Sequence, residues 1–123
     1  MSRVNFLTVS ENASLKLVAE PVHRAFPKSL GCYHVGSSCT RPDFRDVDVR
    51  LIIHNDAFER LFGAGDKHPA TLDLWFLLCW SISEWMQKRT GLPIDFQIQS
   101  VAMAAEYKGQ TRNGLFFANP SEE

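Results

Sequence analysis

The chain has 123 residues, enough for one domain that buries roughly two-thirds of its unfolded surface without help from disulfides. A hydrophobic fraction of 45% with 22% charged residues excludes disorder over the whole length, and a formal charge of −1 excludes a strongly basic protein that grips long nucleic acids. Cys32, Cys39 and Cys79 are odd in number and show no zinc-knuckle or thioredoxin-like spacing, so they read as reduced thiols. No signal-peptide pattern opens the chain, and the most apolar run, residues 74–80, is far too short to span a bilayer. The expectation is a soluble, cytoplasmic protein with no membrane partner.

In chain order, the first element reads as a helix. Leu15, Val18, Val22 and Phe26 recur at three- and four-residue steps, Ser10 is available as a cap, and Pro21 marks a kink or a restart. A short apolar segment, residues 31–35, ends in Gly36-Ser37-Ser38, and a polar loop over 39–45 follows. The clearest strand comes next. Over residues 46–53, positions 47, 49, 51 and 53 are apolar and 46, 48 and 50 are charged, a period of two with one buried and one polar face.

Residues 69–90 form the strongest predicted helix, opened by Pro69 with Asp73 near its N-terminus and closed by Gly91 and Pro93. Its apolar surface is wide enough to predict burial around much of its girth, between a sheet and covering helices. The spacing of five between Trp75, Trp80 and Trp85 puts them on different sides of the helix, in core and half-buried packing. A second alternating strand spans 94–99, with Asp95 on its polar face. A short helix over 100–108 stopped by Gly109, a turn at Asn113-Gly114 and a last strand over 115–117 complete the chain. The predicted class is α+β with α/β character: one domain over 1–118, a small mixed sheet flanked by helices, and a frayed tail over 119–123.

Asp46 and Asp48 lie one residue apart on a strand, so their carboxylates share a face roughly 6–7 Å apart. Like charges so placed raise each other's pKa unless a cation stands between them, and hard oxygen ligands favour Mg²⁺ or Mn²⁺. If the two alternating strands are neighbours, Asp95 joins the pair, a set suited to two metal ions roughly 3.5–4 Å apart. Arg41, Arg45 and Arg50 fall close enough together to form a local basic groove. The Pro42-Asp43 pair resembles the start of a nuclease site, but that pattern wants a lysine two residues after the second acid, and Arg50 stands there; Asp43 reads as a turn residue. His34 and His54 flank these segments and read as structural or solvent-facing, His23 and His68 have no partner spacing, and Lys108 and Arg112 read as surface charge.

Val35-Gly36-Ser37, a polar loop and Asp46-Val47-Asp48-Val49 resemble the signature of the DNA polymerase beta-like nucleotidyltransferase superfamily, and Ile94-Asp95-Phe96 is similar to its later, third carboxylate. The resemblance covers roughly residues 10–100 and is closest to the minimal, single-domain members. It implies a sheet of the nucleotidyltransferase type and a Mg²⁺-dependent transfer of a nucleoside monophosphate from an NTP such as ATP to a hydroxyl of an acceptor. It assigns Asp46, Asp48 and Asp95 as catalytic metal ligands, with Gly36, Ser37, Ser38, Arg45 and Arg50 as nucleotide-binding residues. The spacer from Ser37 to Asp46 is short and contains Pro42, and Arg50 stands on the aspartates' face, either to grip a phosphate or to neutralise Asp48. The acceptor, an RNA, a tRNA, a protein or a small hydroxylated molecule, is left open, and so is the alternative of a catalytically inactive interaction or inhibitor module on the same scaffold. A domain this short is expected to need a homodimer or partner chain for acceptor recognition.

Overall fold

The computed structural model describes residues 4–26, 28–63 and 72–117. Within them the elements run α1 (Val9–Ala25), β1 (Ser29–Val35), α2 (Ser37–Thr40), β2 (Val47–Ile53), α3 (Asn55–Phe62), α4 (Asp73–Thr90), β3 (Ile94–Ser100), α5 (Val101–Ala105) and β4 (Asn113–Phe117). The strands form one mixed sheet in the order β3-β2-β1-β4, so the domain is α+β, as its patterning predicts. β2 pairs antiparallel with β1 and parallel with β3, and β1 pairs antiparallel with β4. Pro69, His68 and the tail over 119–123 lie outside the described residues. Among those residues no helix is long and apolar enough to cross a membrane.

Local chemistry accounts for most element ends. Thr8, and not Ser10, caps α1: its hydroxyl accepts from the Glu11 amide while Glu11 reaches back to the Thr8 amide, a reciprocal capping box. The helix continues through Pro21 without a restart. Pro21 and Leu17, whose carbonyl loses its helical donor there, are both exposed, so water can take the freed group. Asn5 ties three segments together, donating to Asn12 on α1 and Asn113 on β4 while accepting from the Leu7 amide. Gly91 closes α4 in a left-handed conformation, its amide bonded to the Gln87 carbonyl. Asn113-Gly114 belongs to β4 itself and is not a turn. α3 has no counterpart among the predicted elements, although Asp56 in its first turn, the Phe58/Leu61/Phe62 spacing and Gly63 after its end are all ordinary helix signals.

One face of the sheet is the core. Val47, Val49, Leu51 and Ile53 of β2 join Ile94, Phe96 and Ile98 of β3 and Cys32 of β1, under Leu15, Val18 and Val22 of α1 and Met86 of α4. All three cysteines are free and buried, and burial pushes the Cys32 thiol up to about 12. The opposite face alternates as expected until Ile52 and Gln99, which are buried at the end covered by α5. Asp48, Asp95 and Arg50 stand at the other, partly open end of that face.

Helix α4 departs from its prediction. Trp75, Cys79, Ser83 and Met86 are buried, but Leu74, Phe76, Leu77 and Trp80 are 48%, 49%, 61% and 64% exposed, so other elements cover only one side. The ridge at 75, 79, 83 and 87, buried except at its exposed Gln87 end, serves the free edge of β3. Trp75 donates to the Ile98 carbonyl, Gln87 to the Ile94 carbonyl, and Cys79 Sγ accepts from the Ile98 amide. Ser83 Oγ accepts from the Phe96 amide at 2.8 Å and donates to the Phe96 carbonyl. Removing one hydroxyl therefore strands two buried backbone groups. Ser83→Ala is expected to lower stability by about 1–3 kcal/mol in urea unfolding, while Ser81→Ala on the exposed side shifts the midpoint by less than about 0.5 kcal/mol.

Candidate functional site

The geometry begins at Gly36, which leaves β1 with φ 82° and ψ −163°, a conformation open essentially to glycine. The chain then turns into α2 and returns as β2, whose Asp48 pairs with Val35 next to the turn. The approach is close: a Cβ on Gly36 would lie 2.1 Å from Asp48 Oδ2. The Gly-Ser turn and the aspartate strand are thus pressed together at one end of the sheet. Parallel pairing then sets Asp95 directly opposite Asp48 and Gln97 opposite Arg50. Two of the three predicted acids share this spot. Asp46 is exposed just before β2 begins, near enough for its charge to act on Asp48.

Arg50 stands between the paired acids. Its Nη2 is 3.8 Å from both Asp48 Oδ1 and Asp95 Oδ2, while Nη1 donates to the Asp95 and Val49 carbonyls at 2.8 and 3.1 Å. The guanidinium is anchored on backbone and faces the carboxylates across a gap longer than a hydrogen bond. Burial raises the Asp48 pKa above the usual carboxylate range; Arg50 pulls it down, and Asp95 and Asp46 push it further up. Among the described residues no group of three or more His, Cys, Asp or Glu side chains is placed to hold a metal ion; the Arg50 guanidinium sits between two of the acids, and the third is exposed.

A groove of about 240 Å³ opens beside Asp48, lined by Ser37, Arg45, Asp46 and Asp48 together with Arg41 and Asp43. Arg41 and Asp43 form a two-bonded, exposed pair at its rim, at 2.8 and 3.0 Å. Ser38 points the other way. It is fully buried, and its Oγ shares a 2.5 Å hydrogen bond with His34 Nε2. His34 is itself fully buried, its Nδ1 has no partner among the described residues, and burial lowers its pKa to about 4. Of the structural and solvent-facing readings open in the sequence, it takes the buried, structural one. His23 bonds Ser29, and Arg112 donates to the Ala104 carbonyl away from the acids.

A second groove, of about 330 Å³, lies on the far side of Asp95 between β3 and α4, with Phe76, Trp80, Gln87, Asp95 and Gln97 among its lining residues. Sequence reasoning assigned Trp80 to packing; the signal it offered was an excess of apolar residues on α4 over what one sheet edge can bury.

Compared with protein-family models, curated proteins and solved structures, the chain matches none.

Gly36→Ala is expected to cost at least about 2 kcal/mol, from the positive φ and the contact with Asp48. A double-mutant cycle with Asp48→Ala should return part of that cost, and additive losses would refute the contact. His34 gives a pH dependence. Its folded pKa of about 4 lies below the unfolded value of 6.5, so the unfolded chain takes up the proton first on acidification. Stability present above pH 6.5 should therefore fall by an amount on the order of 3 kcal/mol towards pH 4, a slope that His34→Gln removes in urea titrations.

Proposed function

We propose that the chain is a Mg²⁺-dependent nucleotidyltransferase, which binds an NTP and moves its nucleoside monophosphate to an acceptor hydroxyl. The observation that carries this reading is the packing of the Gly36-Ser37 turn against Asp48 with Asp95 paired beside it. Turn, groove and the Asp48–Asp95 pair share one end of the sheet.

The carboxylate oxygens are hard donors of the kind a divalent cation takes, but Arg50 stands between Asp48 and Asp95 and Asp46 is exposed, so the present arrangement does not form a closed metal cradle. Asp48 and Asp95 would hold Mg²⁺ or Mn²⁺, with Asp46 as a further ligand. Bound there, the metal supplies positive charge to the phosphates and to the pyrophosphate as it leaves. The other roles belong to the chain. Gly36 admits the triphosphate close to the backbone, Ser37 bonds a terminal phosphate oxygen, and Arg45 on the groove wall offsets phosphate charge. Arg50, already held by two backbone carbonyls, positions the two acids.

One observation favours a second reading. Because Arg50 lies at equal distance from Asp48 and Asp95, it can serve as their permanent counter-ion in a non-catalytic interaction module. Titration calorimetry with each of the four NTPs, with and without Mg²⁺, separates the two. The first reading expects Mg²⁺-dependent NTP binding that Asp48→Asn weakens at least about tenfold, the effect of losing about 1.4 kcal/mol. Absence of any NTP binding at millimolar concentration would sink it and leave the interaction module.

A further inference from the structure

Helix α4 commits one ridge to the edge of β3 and turns another outward. Leu74, Phe76, Leu77 and Trp80 are neighbours at three- and four-residue spacing, and the Phe76 and Trp80 rings meet edge to face with centroids 5.2 Å apart. The four side chains therefore form one apolar patch. From their exposed fractions it covers about 450 Å², towards the upper end for the largest patch of a monomer. Aromatic anchors with charge kept to the ends are the makeup of an interface core.

The flanking charges decide what fits it. Along the outward side of α4 the order is Asp73, Leu77, Trp80, Glu84 and Lys88, all exposed. An acid begins the series, apolar side chains fill its middle, and Lys88 ends it, 3.4 Å from Glu84. Such a series is complementary to its own reverse. A second α4 laid antiparallel, with a two-fold axis near Trp80, sets Trp80 against Trp80 and the stem of Glu84 over Leu77. Asp73 then falls opposite Lys88 at both ends of the contact. A parallel pair would instead set like charges together at each end.

We propose that a second copy of this chain docks on this face, giving an isologous dimer whose two α4 helices pack antiparallel about Trp80. This dimer is independent of nucleotide chemistry. The apolar patch alone supplies more than half of the roughly 800 Å² that each partner buries in a standard interface, and Asp73, Ser81, Glu84 and Lys88 provide the polar rim. Ridge-and-groove packing of two helices within about 20° of antiparallel keeps both ends in contact. Phe76 and Trp80 also line the groove that reaches Asp95, so pairing buries one wall of that groove and brings the partner subunit to its mouth.

The test is sedimentation equilibrium on the full chain at low salt, from about 1 to 500 µM, with a monomer–dimer equilibrium in the micromolar range as the expected result. Trp80→Ala, a surface change whose folding is checked by circular dichroism, is expected to weaken the dimer at least about tenfold. Asp73→Lys and Lys88→Asp each set like charges together at both ends, and each is expected to weaken it about five- to tenfold. An equimolar mixture of those two variants brings opposite charges back into register and is expected to recover dimer close to the original affinity. A chain that stays monomeric over the whole range leaves the face to a different partner and overturns the proposal. Open assemblies larger than a dimer, a dimer unmoved by Trp80→Ala, or charge variants that fail to recover on mixing overturn it as well.

Discussion

The edge of a sheet carries a row of backbone donors and acceptors that need partners, and β3 meets that need with the side chains of a helix. Residues 75, 79, 83 and 87 of α4 lie one above another on a single ridge, and each bonds the outer edge of Ile94, Phe96 or Ile98. A tryptophan, a cysteine, a serine and a glutamine thus finish a ladder that a fifth strand would otherwise finish. The seal covers the outer edge of β3 while its inner edge pairs with β2, and that parallel register sets Asp95 beside Asp48. The acids depend on the seal although they do not touch it.

The same arrangement explains the odd surface of α4. A ridge committed to hydrogen bonding cannot also be the helix's most apolar stripe, so Leu74, Phe76, Leu77 and Trp80 are turned to the outside. Their exposure follows from the way the edge is closed. It leaves an aromatic wall next to Asp95, and the core has no use for it.

At the other side of the acids, sterics and charge meet in one contact. Gly36 has room for Asp48 only because it lacks a Cβ, and its positive φ turns the chain away into α2. Asp48 is thereby half-buried among two other carboxylates, with Arg50 as the neighbouring cation. Arg50 is held by backbone carbonyls more closely than by the acids it neutralises, so its charge is fixed in place while Asp48 lines the groove at Ser37.

Much of this was legible in the residues. Period-two alternation located β2 and β3 and put Asp48, Arg50 and Asp95 on polar faces, because a strand's side chains alternate whatever surrounds it. Gly91 and Pro93 marked the end of α4 for equally local reasons, and the fold class followed from the order of elements. What is decided locally can be read locally. The partner of a strand cannot, and neither can the side of a helix that a sheet claims. That Ser83 belongs to the buried ridge while Trp80 faces outward depends on where the edge of β3 lies, and that Ser38 turns inward to His34 depends on the packing behind β1. The tertiary structure alone placed Asp95 opposite Asp48, set Gly36 against its carboxylate and stood Arg50 between the two acids, since each of these is a contact between segments whose meeting is governed by the packing of the whole domain.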